Sequence, residues 1–152
     1  MIEYQSFCSN ELLTGISILS VLSNTKELEV AKCVLIEPML NYKDLRATLK
    51  NSNTVLRSIE ELILKKTVAF SNFNNRFYES LPLSINSILL MSELGLLKIN
   101  GKMIAFSGDD FNFNEESLGK SAKERIIASK KVAEILQKET VSNLYLNLRV
   151  EL

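Results

Sequence analysis

The chain has 152 residues, enough for one domain with a real core, and its 46 % hydrophobic and 24 % charged content suits a folded protein rather than a disordered one. Its 18 basic and 18 acidic residues balance to zero, which argues against DNA or an anionic membrane as the main partner. With no histidine, the Ser-His-Asp triad, the Cys-His dyad and the HExxH zinc site are excluded.

A neutral chain rich in Leu and Ile tends to associate, so the expected partner is a protein. Cys8 and Cys33 lack CxxC spacing, and no cofactor is expected. The start Met1-Ile2-Glu3-Tyr4-Gln5 has no secretory pattern, and no window approaches 18 uninterrupted apolar residues. A cytoplasmic protein with reduced, buried thiols and no membrane contact is expected.

Ser9 or Asn10 is placed to cap a first helix through Leu12, Leu13, Ile16, Ile18, Leu19 and Leu22. Ser23-Asn24-Thr25 reads as a turn. A second helix from Lys26-Glu27, apolar nearly all round at Val34-Leu35-Ile36, reads as buried and ends near Pro38. Tyr42 to Lys50 reads as a short helix. Asn53 or Thr54 caps a fourth carrying Val55, Ile59, Leu62 and Ile63. A short helix is expected over residues 74–80. Pro82 then opens a sixth with Ile85, Ile88, Leu89 and Leu94 inward, stopped by Gly95.

Next the period changes. Asn100-Gly101 between two apolar-rich runs predicts a type I′ hairpin with Ile99 opposite Lys102 and Leu97 opposite Ile104. A polar loop from Ser107 to Glu116 is pinned by Phe111 and Phe113. A long helix follows from Ser117 or Ser121 to Lys138. The tail reads either as a helix capped by Thr140 or as a strand alternating at Leu144, Leu146, Leu148 and Val150. The fold class is thus mainly α: a single domain over residues 1–152 with a winged-helix-like β-hairpin at about residues 96–106.

No phosphate-binding glycine motif is present. Ser117-Leu118-Gly119-Lys120 matches S-x-x-K, but without S-D-N or K-T-G elements Ser117 reads as a helix cap. Asp109, Asp110, Glu115 and Glu116 lack calcium-loop spacing and read as a solvated acidic loop. No catalytic residue or metal ligand is therefore assigned. Six cations against two carboxylates on the helix 118–138 give it a local positive excess. The candidate nucleic-acid contacts are Lys130 and Lys131 there and Lys98 and Lys102 on the hairpin. A helix, a Gly stop and a hairpin follow the order of a winged helix, yet Ser84 to Leu94 holds no basic residue to enter a DNA groove.

Several segments in order carry a likeness. They are Asn10 before Leu12-Leu13, Val34-Leu35-Ile36-Glu37-Pro38-Met39-Leu40, Phe73 and Arg76, and Leu81-Pro82 with Ser84 before Ile88-Leu89. A Gly-Leu-Leu hairpin start and Leu148-Arg149-Val150 complete the series. In this order the chain resembles the middle component of bacterial three-component ABC systems, including Lamassu-type antiphage defence. Glu11 departs from that family's usual proline, and the C-terminal element lacks its glycine and proline. The resemblance implies a non-enzymatic subunit that docks on an SMC- or Rad50-like ATPase and links it to an effector such as a nuclease. DNA would be met through the complex. Candidate partner-interface residues are Leu12, Arg76, Leu144, Leu146, Leu148 and Arg149. The alternative is a winged-helix DNA-binding transcriptional regulator.

Overall fold

The computed structural model describes the backbone from Ile2 to Leu152 and side chains from Asn10 onward, so Cys8 and the Ser9 cap lie outside the described side chains. The chain is mainly helical with one three-stranded antiparallel sheet.

Helix α1 (Ile2–Thr25) is longer than its periodicity suggests, and Asn10 lies inside it rather than at its cap. From Thr14 to Leu22 it is buried on almost every side, because it runs between α7 (Phe73–Glu93) and α8 (Gly119–Lys138). Small residues permit the approach. A Cβ on Gly15 would lie 2.2 Å from Cε of Met91, and the Ser20 and Ser129 hydroxyls are hydrogen-bonded at 2.6 Å.

The helix stops at Lys26, a non-glycine residue with φ +71°. The segment that follows is not one buried helix. It divides into β1 (Glu27–Glu29), α2 (Val30–Cys33) and α3 (Ile36–Leu40). Pro38 is the reason. A proline ring cannot sit four residues beyond a continuing helical carbonyl, here that of Val34, but it fits a first turn whose N–H groups need no partner. Pro38 therefore lies in the first turn of α3 instead of ending a longer helix.

Helix α4 (Lys43–Lys50) is as expected. Asn53 and Thr54 do not cap the next helix. Asn51 takes up both backbone amides, its side chain at 3.0 Å and its carbonyl at 3.1 Å, and the chain stays extended to Ser58, which caps α5 (Ile59–Lys65). A short α6 (Thr67–Phe70) leads to α7. Pro82 lies inside α7, on its exposed side, rather than opening a helix. Buried Phe73, Phe77, Ile88 and Met91 hold the helix through that point.

Gly95, at φ +77°, closes α7 with paired bonds from the Gly95 amide to Ser92 and the Leu96 amide to Met91. The hairpin of β2 (Leu97–Asn100) and β3 (Met103–Phe106) turns at Gly101-Lys102, two residues off the expected register. Only Gly101 has positive φ, the II′ pattern, so Asn100 pairs with Met103 and Ile99 with Ile104. A slip of two keeps Leu97 and Ile104 on the same buried face. The first strand adds to β3, giving the order β1-β3-β2.

Phe111 and Phe113 pin the acidic loop, the latter ring stacking 6.4 Å from Phe106. The last helix is α9 (Val141–Leu148), capped by Thr140, so the strand alternative for the tail is excluded.

One ion pair lies inside this assembly. Arg125 of α8 meets Glu37 of α3 at 2.7 Å, with both side chains almost fully buried. The guanidinium also reaches Ser17 of α1 at 3.3 Å and Asn41 at 3.4 Å. Removing one partner strands a buried charge. Arg125→Met or Glu37→Leu alone should lower unfolding free energy by about 3–5 kcal/mol in urea titrations, whereas the double variant should recover most of the loss.

Candidate functional site

Helices α5, α6 and α9 and the first turn of α7 frame an open groove of about 670 Å³. Ser58 accepts the Glu61 amide at 3.2 Å, and Glu61 reaches back to the Arg57 amide at 2.7 Å, which fixes the start of α5. That amide bond holds the Glu61 carboxyl below its ordinary pKa. Leu62 points to the core, and Ile63 and Leu64 are left toward the groove. Leu64 is 79 % exposed and neighbouring Val68 81 %.

The opposite wall is α9. Its helical period sends Leu144 and Leu148 inward and Leu146 outward, where it is 77 % exposed. Arg149 takes the left-handed position, φ +57°, and stands exposed at the rim. The Arg149 and Val150 amides bond Leu146 and Tyr145, closing the helix end. Tyr145 fastens the helix from below. Its hydroxyl donates to the Ala31 carbonyl at 2.6 Å and its ring meets Phe77 edge-on at 5.8 Å. Burial, then nearby Tyr78 and Cys33, pushes the Tyr145 phenol up to about 12. Burial, then the charge of Glu29, pushes the Cys33 thiol up to about 12, so this cysteine is an inert core residue.

The residues singled out from the sequence divide. Leu146, Leu148 and Arg149 come together at the groove. Leu144 and Leu148 are core side chains, which corrects their reading as exposed partner contacts; Leu148 forms part of the groove's floor. Arg76 is turned inward. It donates to the Ala69 carbonyl and to the Pro38 carbonyl at 3.3 Å, and stacks on Tyr42 with its guanidinium carbon 4.4 Å from the ring centre. It ties α3, α6 and α7 together. Leu12 is exposed on α1, away from this groove's lining.

Lys98 and Lys102 are exposed on the hairpin, and Lys130 and Lys131 lie on α8. Ser117 falls in a 3-10 turn, Glu116–Leu118, and makes no cap bond; Gly119 at φ +88° separates it from Lys120. Among the described residues no three carboxylates or cysteines gather where a metal could sit. Leu64 and Val68 were not picked out by sequence, although Leu62-Ile63-Leu64 on so short a helix is more apolar surface than one face can bury. Ile85, Leu89 and Leu94 were expected inward; all three are exposed, because Ser84, Ser87 and Ile88 take the inner face of α7.

Two outcomes follow from this geometry. Leu144→Ala should cost about 2–5 kcal/mol in denaturant unfolding, while Leu146→Ala should stay within about 0.5 kcal/mol of the wild type. Raised folded-state pKa values mean that the folded chain holds the Cys33 and Tyr145 protons more tightly than the unfolded one. Their stabilisation is complete below the ordinary thiol value of 9.0 and is lost as pH rises toward 12. Melting temperature should therefore fall over that alkaline range, and fall less steeply in Cys33→Ala/Tyr145→Phe.

A family profile described as "ABC-three component (ABC-3C) system Middle Component 3" matches residues 6–152. No curated protein and no solved structure matches the chain.

Proposed function

Because the chain belongs to the Middle Component 3 family of ABC-three component systems, we propose that it is a non-catalytic adaptor that docks on an SMC- or Rad50-like ATPase and links it to an effector such as a nuclease. The setting is cytoplasmic, Lamassu-type antiphage defence, with DNA sensed in the assembled complex. Family membership makes it one component among several, so it has partner chains to meet. The groove of α5, α6 and α9 carries the reading, because it leaves two large aliphatic side chains, Leu64 and Leu146, in water on its walls, with exposed Val68 just outside its lining. Exposed apolar surface rimmed by polar residues is what a protein interface needs at its centre. No helix among the described residues is long and apolar enough to cross a membrane, which fits a partner in solution.

The sheet order β1-β3-β2, with α7 leading into the hairpin, favours a second reading as a winged-helix DNA regulator. The exposed side of α7 speaks against it. Ile85, Leu89, Glu93 and Leu94 offer apolar surface and one negative charge, and no cation to approach phosphate.

Co-expression with an SMC- or Rad50-like ATPase and effector of an ABC-three component system tests the adaptor. The wild type should co-elute with the ATPase in size exclusion. Leu64→Asp/Leu146→Asp should melt like the wild type yet elute alone. A wild type that never co-elutes, or a double variant that still does, overturns docking at this groove.

A further inference from the structure

The chain's zero net charge is not evenly spread. Helix α8 presents exposed Lys120, Lys130 and Lys138 and half-buried Lys123 and Lys131. Arg125 on the same helix is buried against Glu37 and takes no part. From α4, Arg46 and Lys50 reach Glu124 at 3.3 and 3.5 Å, so the central carboxylate of this face is covered by two cations. Lys50, Lys120 and Lys123 border one hollow together with exposed Ile127. Counting these five lysines with Arg46 and Lys50 against Glu116, Glu124 and Glu134 leaves an excess of four positive charges; the rest of the chain must therefore carry minus four.

We propose that the face formed by α8 and α4 is a contact surface for the phosphate backbone of duplex nucleic acid. Lys120 to Lys138 spans about 27 Å of rigid helix, long enough to follow several phosphates. The cations of α8's exposed face are lysines, which bind phosphate as mobile point charges without fixed geometry, as sequence-independent contact requires. Neither helix carries an aromatic side chain, so nothing here stacks unpaired bases as single-strand binders do. An acidic protein partner would want an apolar centre, and this face supplies only Ile127. The surface is distinct from the groove of α5, α6 and α9, so failure of either assignment leaves the other standing.

Fluorescence anisotropy of the intact chain with a labelled duplex of arbitrary sequence decides it. Binding should appear at low salt and weaken with a log–log salt slope of about −3 or steeper. Lys120→Glu/Lys123→Glu/Lys130→Glu should bind at least about tenfold more weakly, with a shallower slope. Should that variant misfold by circular dichroism, the Lys→Gln triple at the same positions takes its place. Lys98→Glu/Lys102→Glu on the hairpin should bind like the wild type. Absence of low-salt binding overturns the assignment, as does an equal loss in the hairpin variant. Polyglutamate competing as well as duplex of equal charge points to an acidic protein and also overturns it.

Discussion

Four parts of the chain are held by one guanidinium. Arg125 hangs from α8 and spends its hydrogen bonds on Glu37 in α3, Ser17 in α1 and Asn41 beyond α3. Around it the packing is apolar and forgiving, since Ile18, Leu22, Leu35, Met39, Val132 and Leu136 fill space without demanding a register. A buried charge is not forgiving. Any slide of α8 along α1 that left Glu37 behind would strand both ions in a medium of low dielectric constant. The Arg125 Nε has no partner among the described residues, so the arrangement is not even fully satisfied. Its service is to select one alignment of helices that hydrophobic contact alone would leave loose.

That alignment decides what reaches the surface. With α1 held between α7 and α8, the polar side of α8 is turned outward beside α4, and the exposed side of α7 carries Ile85 and Leu89 among polar and acidic residues but no cation. Arg76 holds the same short helix α3 from another side, through the carbonyl of Pro38, the residue next to Glu37. It fixes α6 against α3, and so sets the wall that α5 and α9 complete. The molecule thus shows a cationic face and an apolar groove on different helices, which suits a subunit with more than one neighbour.

Much of this was legible from residue pattern. The hairpin after Gly95, the helices over 43–50 and 119–138, and the helical option for the tail all follow local rules, and local rules suffice where a cap or a turn residue decides. Misreadings arose where two signals compete. Pro38 and Pro82 look alike in sequence, yet one falls in a helix's first turn and the other deep within a helix, because only packing of the flanking turns determines whether a missing bond is tolerated. The strand Glu27–Glu29 has no strand-like composition; it exists because β3 offers an open edge. Leu144, Leu146 and Leu148 alternate in sequence, but only the choice between periods of 2 and 3.6 tells which one faces water. The groove itself is formed by segments more than 70 residues apart, and no spacing announces it.

The hydroxyl pair Ser20 and Ser129 also says something about how the molecule comes into being. These residues are 109 positions apart. The buried helix α1 is therefore synthesised long before α8, one of the two helices that shelter it. At roughly 5–20 residues per second, α1 waits on the order of 5–20 seconds after leaving the ribosome before α8 exists to cover it. During that interval Ile18, Leu19 and Leu22 have only nascent chain or a chaperone to meet. A protein built this way keeps apolar surface exposed during synthesis, so its yield in the cell depends on what holds α1 while α8 is being made.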